Sequence, residues 1–247
     1  MISAVIPVYN EAQRLPACVA ALSAELERRS DTWELVLVDD GSSDGTGAVI
    51  EELVAARPEH LRGCHHPKNL GKGAAVRTGV LATVGELVLF CDTDLSTPIE
   101  TLAVFLERVD AGADVVVGNR KSAEASIEKP QSPLRTWMGL GFTRLANAMT
   151  GLTISDYTCG FKLFRGDAAR TIFEATETPR WSFDVEILAR AAQMGLTIAE
   201  VPIRWINVED SRVRLFSDTV GSFLEVLSIR RRLGGRPRRG PPPSDGP

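Results

Sequence analysis

The chain has no long hydrophobic run: nowhere do the roughly 18 consecutive apolar residues of a membrane-spanning helix occur. The first residues pass straight into Ile2-Ser3-Ala4-Val5-Ile6-Pro7, without a basic stretch or a small-residue cleavage site, so a secreted or bilayer-crossing protein is not expected. Cysteine is scarce and scattered. The four residues Cys18, Cys64, Cys91 and Cys159 show neither disulfide-framework nor metal-type spacing, and Cys18 and Cys91 lie in apolar surroundings that predict buried thiols. A reducing, cytoplasmic setting follows. There is no solenoid-type repeat. No Gly-x-x-x-x-Gly-Lys-Ser/Thr occurs, which excludes a P-loop ATPase or kinase. Gly71-Lys72-Gly73-Ala74-Ala75-Val76 imitates part of a dinucleotide fingerprint, but no convincing strand feeds it and Val76 stands at the third small position.

What is present suffices for a full core. At 247 residues, 44% hydrophobic and 24% charged, the chain suits one large α/β domain, or a domain plus an appendage, and not a disordered protein. The net charge of -4 conceals an asymmetry, because Arg230, Arg231, Arg232, Arg236, Arg238 and Arg239 crowd into the C-terminal end together with Pro237 and Pro241 to Pro243. Residues 234–247 therefore read as a disordered, basic, proline-rich tail. Aromatic partners are missing beside these arginines, so nucleic acid is not an expected partner. Just upstream, Phe216, Val220, Phe223, Leu224, Leu227 and Leu233 recur near helical spacing and end in arginines. That pattern fits a helix on an anionic membrane surface, or an ordinary packed helix with a solvated basic end.

Strand-like and helical patterns alternate: 4–8 then 13–29, 34–38 then 46–56, 61–64 then 73–84, 87–91 then 98–111, and 115–118. The strands are continuously apolar, which predicts a mainly parallel sheet covered by helices on both faces, a Rossmann-like α/β architecture. In such sheets ligands gather at the carboxyl ends of the strands, and the unusual polar residues fall there: Pro7-Val8-Tyr9-Asn10-Glu11, Asp39-Asp40-Gly41-Ser42-Ser43-Asp44, Asp92-Thr93-Asp94 and Gly118-Asn119-Arg120. Residues 1–120 read as the ligand-binding half. Residues 121–132 form a polar segment long enough for a mobile loop. A helix near 133–149, a short run at 159–164, a helix at 183–194 and a strand at 197–206 then complete the sheet, so 121–233 read as a second half of the same domain.

Asp92-Thr93-Asp94 is the sharpest chemical signal. Two carboxylates directly after a buried-type strand are costly to desolvate unless a cation sits between them. Mg²⁺ is commonly held by one or two carboxylates, waters and substrate phosphate oxygens, so a nucleoside diphosphate is the natural missing ligand. A plainer reading stands beside it, in which the motif caps the helix announced by Ser96-Thr97-Pro98-Ile99-Glu100.

Taken together, Val5-Ile6-Pro7-Val8-Tyr9-Asn10-Glu11, Val38-Asp39-Asp40-Gly41-Ser42-Ser43-Asp44-Gly45-Thr46, Asn69-Leu70-Gly71-Lys72-Gly73 and Asp92-Thr93-Asp94 resemble the GT-A fold, family 2 inverting glycosyltransferases. Leu95-Ser96-Thr97-Pro98, Asp156-Tyr157-Thr158-Cys159-Gly160-Phe161-Lys162-Leu163-Phe164 and Arg180-Trp181-Ser182-Phe183-Asp184-Val185-Glu186 resemble the branch of dolichyl-phosphate glucosyltransferases and polyprenyl-phosphate glycosyltransferases. The resemblance runs to about Arg232. It implies that Pro7, Tyr9, Glu11, Asp39 and Asp40 bind the base and ribose of a donor nucleotide. Lys72 and Asp92 would approach its phosphates. Asp92 and Asp94, with Ser96 through water, would hold Mg²⁺ or Mn²⁺. Arg120 resembles the arginine of a Gly-Ser-Arg element, with Asn119 in place of serine; Arg120, Arg135 and Arg204 would grip an acceptor phosphate.

The implied reaction is transfer of a hexose, glucose from UDP-glucose, to a polyprenyl or dolichyl phosphate with inversion, at the inner face of the cell membrane by a peripheral protein. A GDP-mannose-dependent mannosyltransferase and a non-catalytic nucleotide-sugar-binding protein remain as alternatives. A lipid phosphate is already anionic and needs no base to attack. Asp184 and Glu186, where relatives keep a base, therefore either act in the chemistry, bind the sugar, order the site, or satisfy Arg180 or Arg204.

Overall fold

The computed structural model describes residues 1–30, 32–127, 133–206 and 217–234, and within them all side chains except those of 133–135 and 217–220. Seven strands form one sheet in the order β3-β2-β1-β4-β7-β5-β8. These are β1 (Ile2–Val8), β2 (Trp33–Asp39), β3 (Leu61–His65), β4 (Leu87–Cys91), β5 (Val115–Asn119), β7 (Phe161–Arg165) and β8 (Ile198–Pro202). All run parallel except β7, which is inserted antiparallel between β4 and β5. The expected mainly parallel α/β sheet is borne out. The insertion itself has no local signal, because pairing partners distant in sequence are fixed by tertiary packing.

Along each central strand alternate residues enter opposite cores, as a period of two requires. Ala4, Ile6, Leu35, Leu37, Leu89 and Val116 pack with α1 (Leu15–Arg29), α2 (Thr46–Ala56) and α4 (Leu102–Asp110). Val5, Val36, Val38, Val88, Phe90, Val115 and Val117 pack on the other face with α3 (Lys72–Ala82), α5 (Pro133–Thr150), α6 (Gly166–Ala175), α7 (Phe183–Gln193) and α8 (Ser217–Arg232). Two covered faces explain why these strands are apolar throughout. The thiols of Cys18 and Cys91 are buried, as expected.

Three local expectations need correction. Helix α6 was not anticipated, although Ala169, Ile172 and Phe173 bury one helical face. It follows β7 without a loop, so no turn residues announce it. The run 197–206 is two strands: β8 ends at Pro202 where its partner β5 ends at Asn119, the Ile203 N–H still reaching the Asn119 carbonyl at 3.2 Å, and the chain goes on into β9 (Arg204–Trp205) with a different partner. The polar segment after Arg120 contributes β6 (Ser126–Ile127), which pairs parallel with β9. Its remainder at 128–132 lies outside the described residues, as does the basic tail from 235 onward.

Candidate active site

The carboxyl ends of β1, β2, β4 and β5 open on one edge of the sheet, and each of the four polar strand ends lies there. The first two are stitched together. Asn10, with a left-handed φ of 56°, donates its backbone N–H to Ser42 Oγ at 2.8 Å, and its side chain accepts the Ser43 N–H at 2.7 Å. The Glu11 N–H reaches Thr46 Oγ1 at 2.9 Å. Tyr9 is left exposed at the rim, and Glu11 pairs with Arg14 at 3.6 Å. Asp39 is buried and accepts the Ser42 N–H at 2.9 Å.

Asp40 is committed more deeply. Its Oδ1 accepts the Leu70 N–H at 2.9 Å and lies 2.8 Å from His66 Nδ1, while its Oδ2 accepts the Gly71 N–H at 2.9 Å. In this arrangement Asp40 braces the turn that launches α3. Gly71 has a φ of 109°, and a Cβ there would stand 2.5 Å from the Pro179 carbonyl oxygen, so only glycine fits. Lys72, the first residue of α3, is thereby fixed at the backbone. Its ammonium lies 2.5 Å from Asp92 Oδ1 and 5.8 Å from the ring centroids of both Phe90 and Trp181. Burial disfavours that charge, yet Asp92 and Asp184 outweigh it and raise the Lys72 pKa above the ordinary lysine value.

Asp92 and Asp94 sit on the turn that follows β4. A Cβ at Gly160 would lie 1.9 Å from Asp92 Oδ2, so the glycine of β7's approach is the space in which this carboxylate rests. Asp94 is exposed and accepts the Ser96 N–H at 2.9 Å, while Leu95 between them takes a left-handed φ of 47°. The capping reading is not realised: the Asp94–Ser96 bond closes a local turn, the helical turn begins only at Ile99, and neither it nor α4 has a side-chain cap. A non-glycine residue held in the left-handed region carries strain that surrounding structure must enforce, a feature that clusters at functional sites.

Arg120 leaves β5 into a rigid clamp. Its Nε and one terminal nitrogen donate to the two oxygens of fully buried Asp156 at 2.7 and 2.9 Å, the same terminal nitrogen reaches Thr158 Oγ1 at 2.9 Å, and the guanidinium lies 5.6 Å from the Trp205 ring centroid. Burial alone would raise the Asp156 carboxyl; Arg120 overrides it and holds the pKa at about 2. Asn119 accepts the Lys121 and Ser122 N–H groups at 2.8 and 3.1 Å and so shapes the next turn.

On α7, Asp184 is buried and its Oδ1 receives the ammonium of fully buried Lys162 at 2.6 Å. Burial pushes the Asp184 carboxyl up from its usual value, against the pull of Lys162 and Lys72. Glu186 accepts from Thr178 and from Arg190, whose terminal nitrogen is at 2.6 Å. Asp184 is therefore paired with Lys162, and Glu186 with Arg190 and, at 3.6 Å, Arg232; among the described residues neither acid is paired with Arg180 or Arg204. Arg204 is exposed on β9 beside Trp205. Arg135 belongs to the first turn of α5, and its side chain lies outside the described residues.

Among the described residues no three His, Cys, Asp or Glu side chains cluster to hold a metal by themselves. The structure brings Asp92, Lys72 and Asp184 into one charged group. Lys162, Asp156 and Trp181 were missed as individual contributors. The signal for Lys162 was its place inside the buried strand Phe161–Arg165, where an unneeded charge would be expelled.

Residues 3–173 match the family model described as glycosyl transferase family 2. The chain is 36% identical over 235 residues to a dolichyl-phosphate beta-glucosyltransferase of Trichomonas vaginalis, covering 91% of this chain and 69% of that protein. It is 32% identical over 247 residues to a dolichyl-phosphate beta-glucosyltransferase of Homo sapiens, covering 94% of this chain and 75% of the relative. Among solved structures, glucosyl-3-phosphoglycerate synthase from Mycobacterium tuberculosis, crystallised with Mn²⁺, UDP-glucose and phosphoglyceric acid, superposes with a TM-score of 0.64 at 18% identity, over 95% of this chain and 80% of that one. At that identity the likeness is one of fold.

Proposed function

The chain belongs to glycosyl transferase family 2, and on that footing we propose that it transfers glucose from UDP-glucose to a polyprenyl or dolichyl phosphate with inversion, giving a β-linked lipid-phosphate sugar. The carrying observation is the Asp92 carboxylate at the end of β4, cradled at Gly160 and already facing a cation 2.5 Å away in Lys72. Such a carboxylate, with exposed Asp94 two residues on, fits a hard divalent cation that takes its other ligands from phosphate and water. Mg²⁺ or Mn²⁺ bound there supplies Lewis-acid stabilisation to a departing nucleoside diphosphate. Lys72 adds a second positive charge beside the same phosphates.

Arg120 is the acceptor-side cation in this reading. Held by Asp156 and Trp205, its guanidinium is pre-oriented, so little side-chain entropy remains to be lost when a phosphate docks. Arg204 and Arg135 are assigned to the same acceptor phosphate. That phosphate attacks as an anion, and nothing in the step calls for a base. Incubation of the purified protein with labelled UDP-glucose or GDP-mannose, polyprenyl phosphate and Mg²⁺ tests this directly. The expected result is labelled lipid from UDP-glucose; transfer from GDP-mannose alone would replace the sugar assignment, and no labelled lipid from either donor would overturn the reading.

A membrane surface is the proposed third partner. No described helix is long and apolar enough to cross a membrane. Helix α8 buries Val226 and Ile229 and sets Phe223 edge-on against Phe142 of α5, yet it leaves Leu224 64% exposed and Leu227 44% exposed. Trp137 of α5 is 72% exposed. Arg230 and Arg231 line a groove of about 470 Å³ between the ends of the two helices, with Met149 and Leu227. Apolar side chains beside arginines suit an anionic lipid surface, where each basic residue contributes about 1 kcal/mol. The Leu224→Glu/Leu227→Glu variant is expected to lose at least about tenfold in affinity for anionic vesicles in co-sedimentation. Unchanged sedimentation would assign this face elsewhere.

A further inference from the structure

Strand β7 carries a lysine where its neighbours Phe161, Leu163 and Phe164 all enter the core. The Lys162 ammonium donates to Asp184 Oδ1 at 2.6 Å and to the Cys159 carbonyl at 2.5 Å, and lies 5.1 Å from the Phe90 ring centroid. A buried ion pair costs more in desolvation than a pair of well-packed apolar residues, so its presence calls for a use beyond stability. Nothing assigned to the nucleotide or to the cation uses Lys162.

Three residues before Asp184, Trp181 is 38% exposed, and its ring lies over the Lys72 ammonium that contacts Asp92. The segment carrying it is pinned on several sides. The Ala74 N–H binds the Pro179 carbonyl at 2.9 Å, Glu186 accepts the Thr178 N–H at 2.8 Å, and Ser182 Oγ donates to the Ser222 carbonyl at 3.1 Å. A tryptophan held in place while still partly exposed to solvent is a fixed apolar platform. The segment leading into α7 and the helix's first turn thus set a flat aromatic surface and a buried carboxylate beside the ammonium that reaches the diphosphate-binding Asp92. A sugar has matching chemistry, with apolar C–H faces and hydroxyl donors at its edge.

We propose that Trp181 and Asp184 form the subsite for the transferred hexose, Trp181 lying against its C–H face and Asp184 accepting its hydroxyl hydrogen bonds, with Lys162 as the positioning residue that holds the Asp184 carboxylate in place. This deepens the donor reading above and rests on it.

Titration calorimetry with Mn²⁺, comparing UDP with UDP-glucose and GDP with GDP-mannose, separates the two claims; the pair that binds the wild type is then used throughout. Trp181→Ala is expected to leave nucleoside diphosphate affinity within about twofold and to weaken the nucleotide sugar about tenfold, with Trp181→Phe restoring most of the loss. Asp184→Asn and Lys162→Met are each expected to show the same selective loss, and the double variant, which leaves no unpaired buried charge, no more than either alone. Equal changes for nucleotide and nucleotide sugar in Trp181→Ala and Asp184→Asn, or no change in either, would overturn the subsite. Additive losses in the double variant would overturn the role of Lys162. A wild-type protein that binds neither nucleotide would overturn the donor reading itself.

Discussion

Asp92→Ala is expected to reduce kcat for glucosyl transfer by about a thousandfold or more, equivalent to about 4 kcal/mol of transition-state stabilisation. The loss has two sources. One ligand of the cation disappears, and the Lys72 ammonium, 2.5 Å from Asp92 Oδ1, loses the partner that fixes its position. Since the Asp92 side chain is partly exposed at the sheet edge, the fold is expected to survive, with circular dichroism and the unfolding midpoint close to wild type. Asp94→Ala is expected to follow the same pattern more mildly, because Asp94 also holds the Ser96 amide and stands further into solvent. A folded Asp92→Ala protein with wild-type kcat, measured by initial rates at saturating donor, would remove this carboxylate from the chemistry.

The largest stability effect is expected at Asp156. It is fully buried and takes two hydrogen bonds from the Arg120 side chain and a third from the Arg120 backbone N–H at 3.2 Å. Asp156→Asn keeps the shape but leaves a guanidinium without its counter-charge, a change that costs about 3–5 kcal/mol in buried pairs. For a chain of this length the unfolding midpoint is expected to drop by roughly 10 °C. The pH dependence has a definite sign. Because the folded pKa is lowered to about 2, the stabilisation is complete above the unfolded carboxyl value near about 4 and decays as pH falls from there toward the folded value. Acid unfolding of the wild type therefore draws on this group in that window, and Asp156→Asn is expected to show a shallower acid limb. Equal stability of the two proteins at neutral pH, by denaturant titration, would show that the clamp contributes nothing.

How far the sequence reached can be traced through particular residues. Asp92 and Asp94 were legible because a strongly apolar strand ending in two carboxylates is chemically conspicuous by itself. The stitching of Asn10 to Ser42 and Ser43 was legible only as a meeting of two strand ends, since the hydrogen bonds depend on the register of β1 against β2. Arg120 was placed correctly at the end of β5, while its buried partner Asp156 lies 36 residues away, inside a motif that the resemblance singles out but without any sign of this pairing. Lys162 and Asp184 are 22 residues apart and meet only because β7 enters the sheet antiparallel beside β4, a choice made by the whole core. Asp40 shows a different limit. The family resemblance implies that it binds the donor nucleotide beside Asp39, whereas its oxygens are bound to the Leu70 and Gly71 amides and to His66. A sequence displays donors and acceptors, but not which of them the backbone has already taken.

The most direct test of the central claim is anomalous scattering from crystals grown with Mn²⁺ and UDP. The expected result is a single strong manganese peak within coordination distance of the Asp92 carboxylate, shared with Asp94 directly or through water, and contacting both phosphates of the nucleotide. A manganese peak and an ordered diphosphate at any other place on the protein, with Asp92 still paired to Lys72, would contradict it.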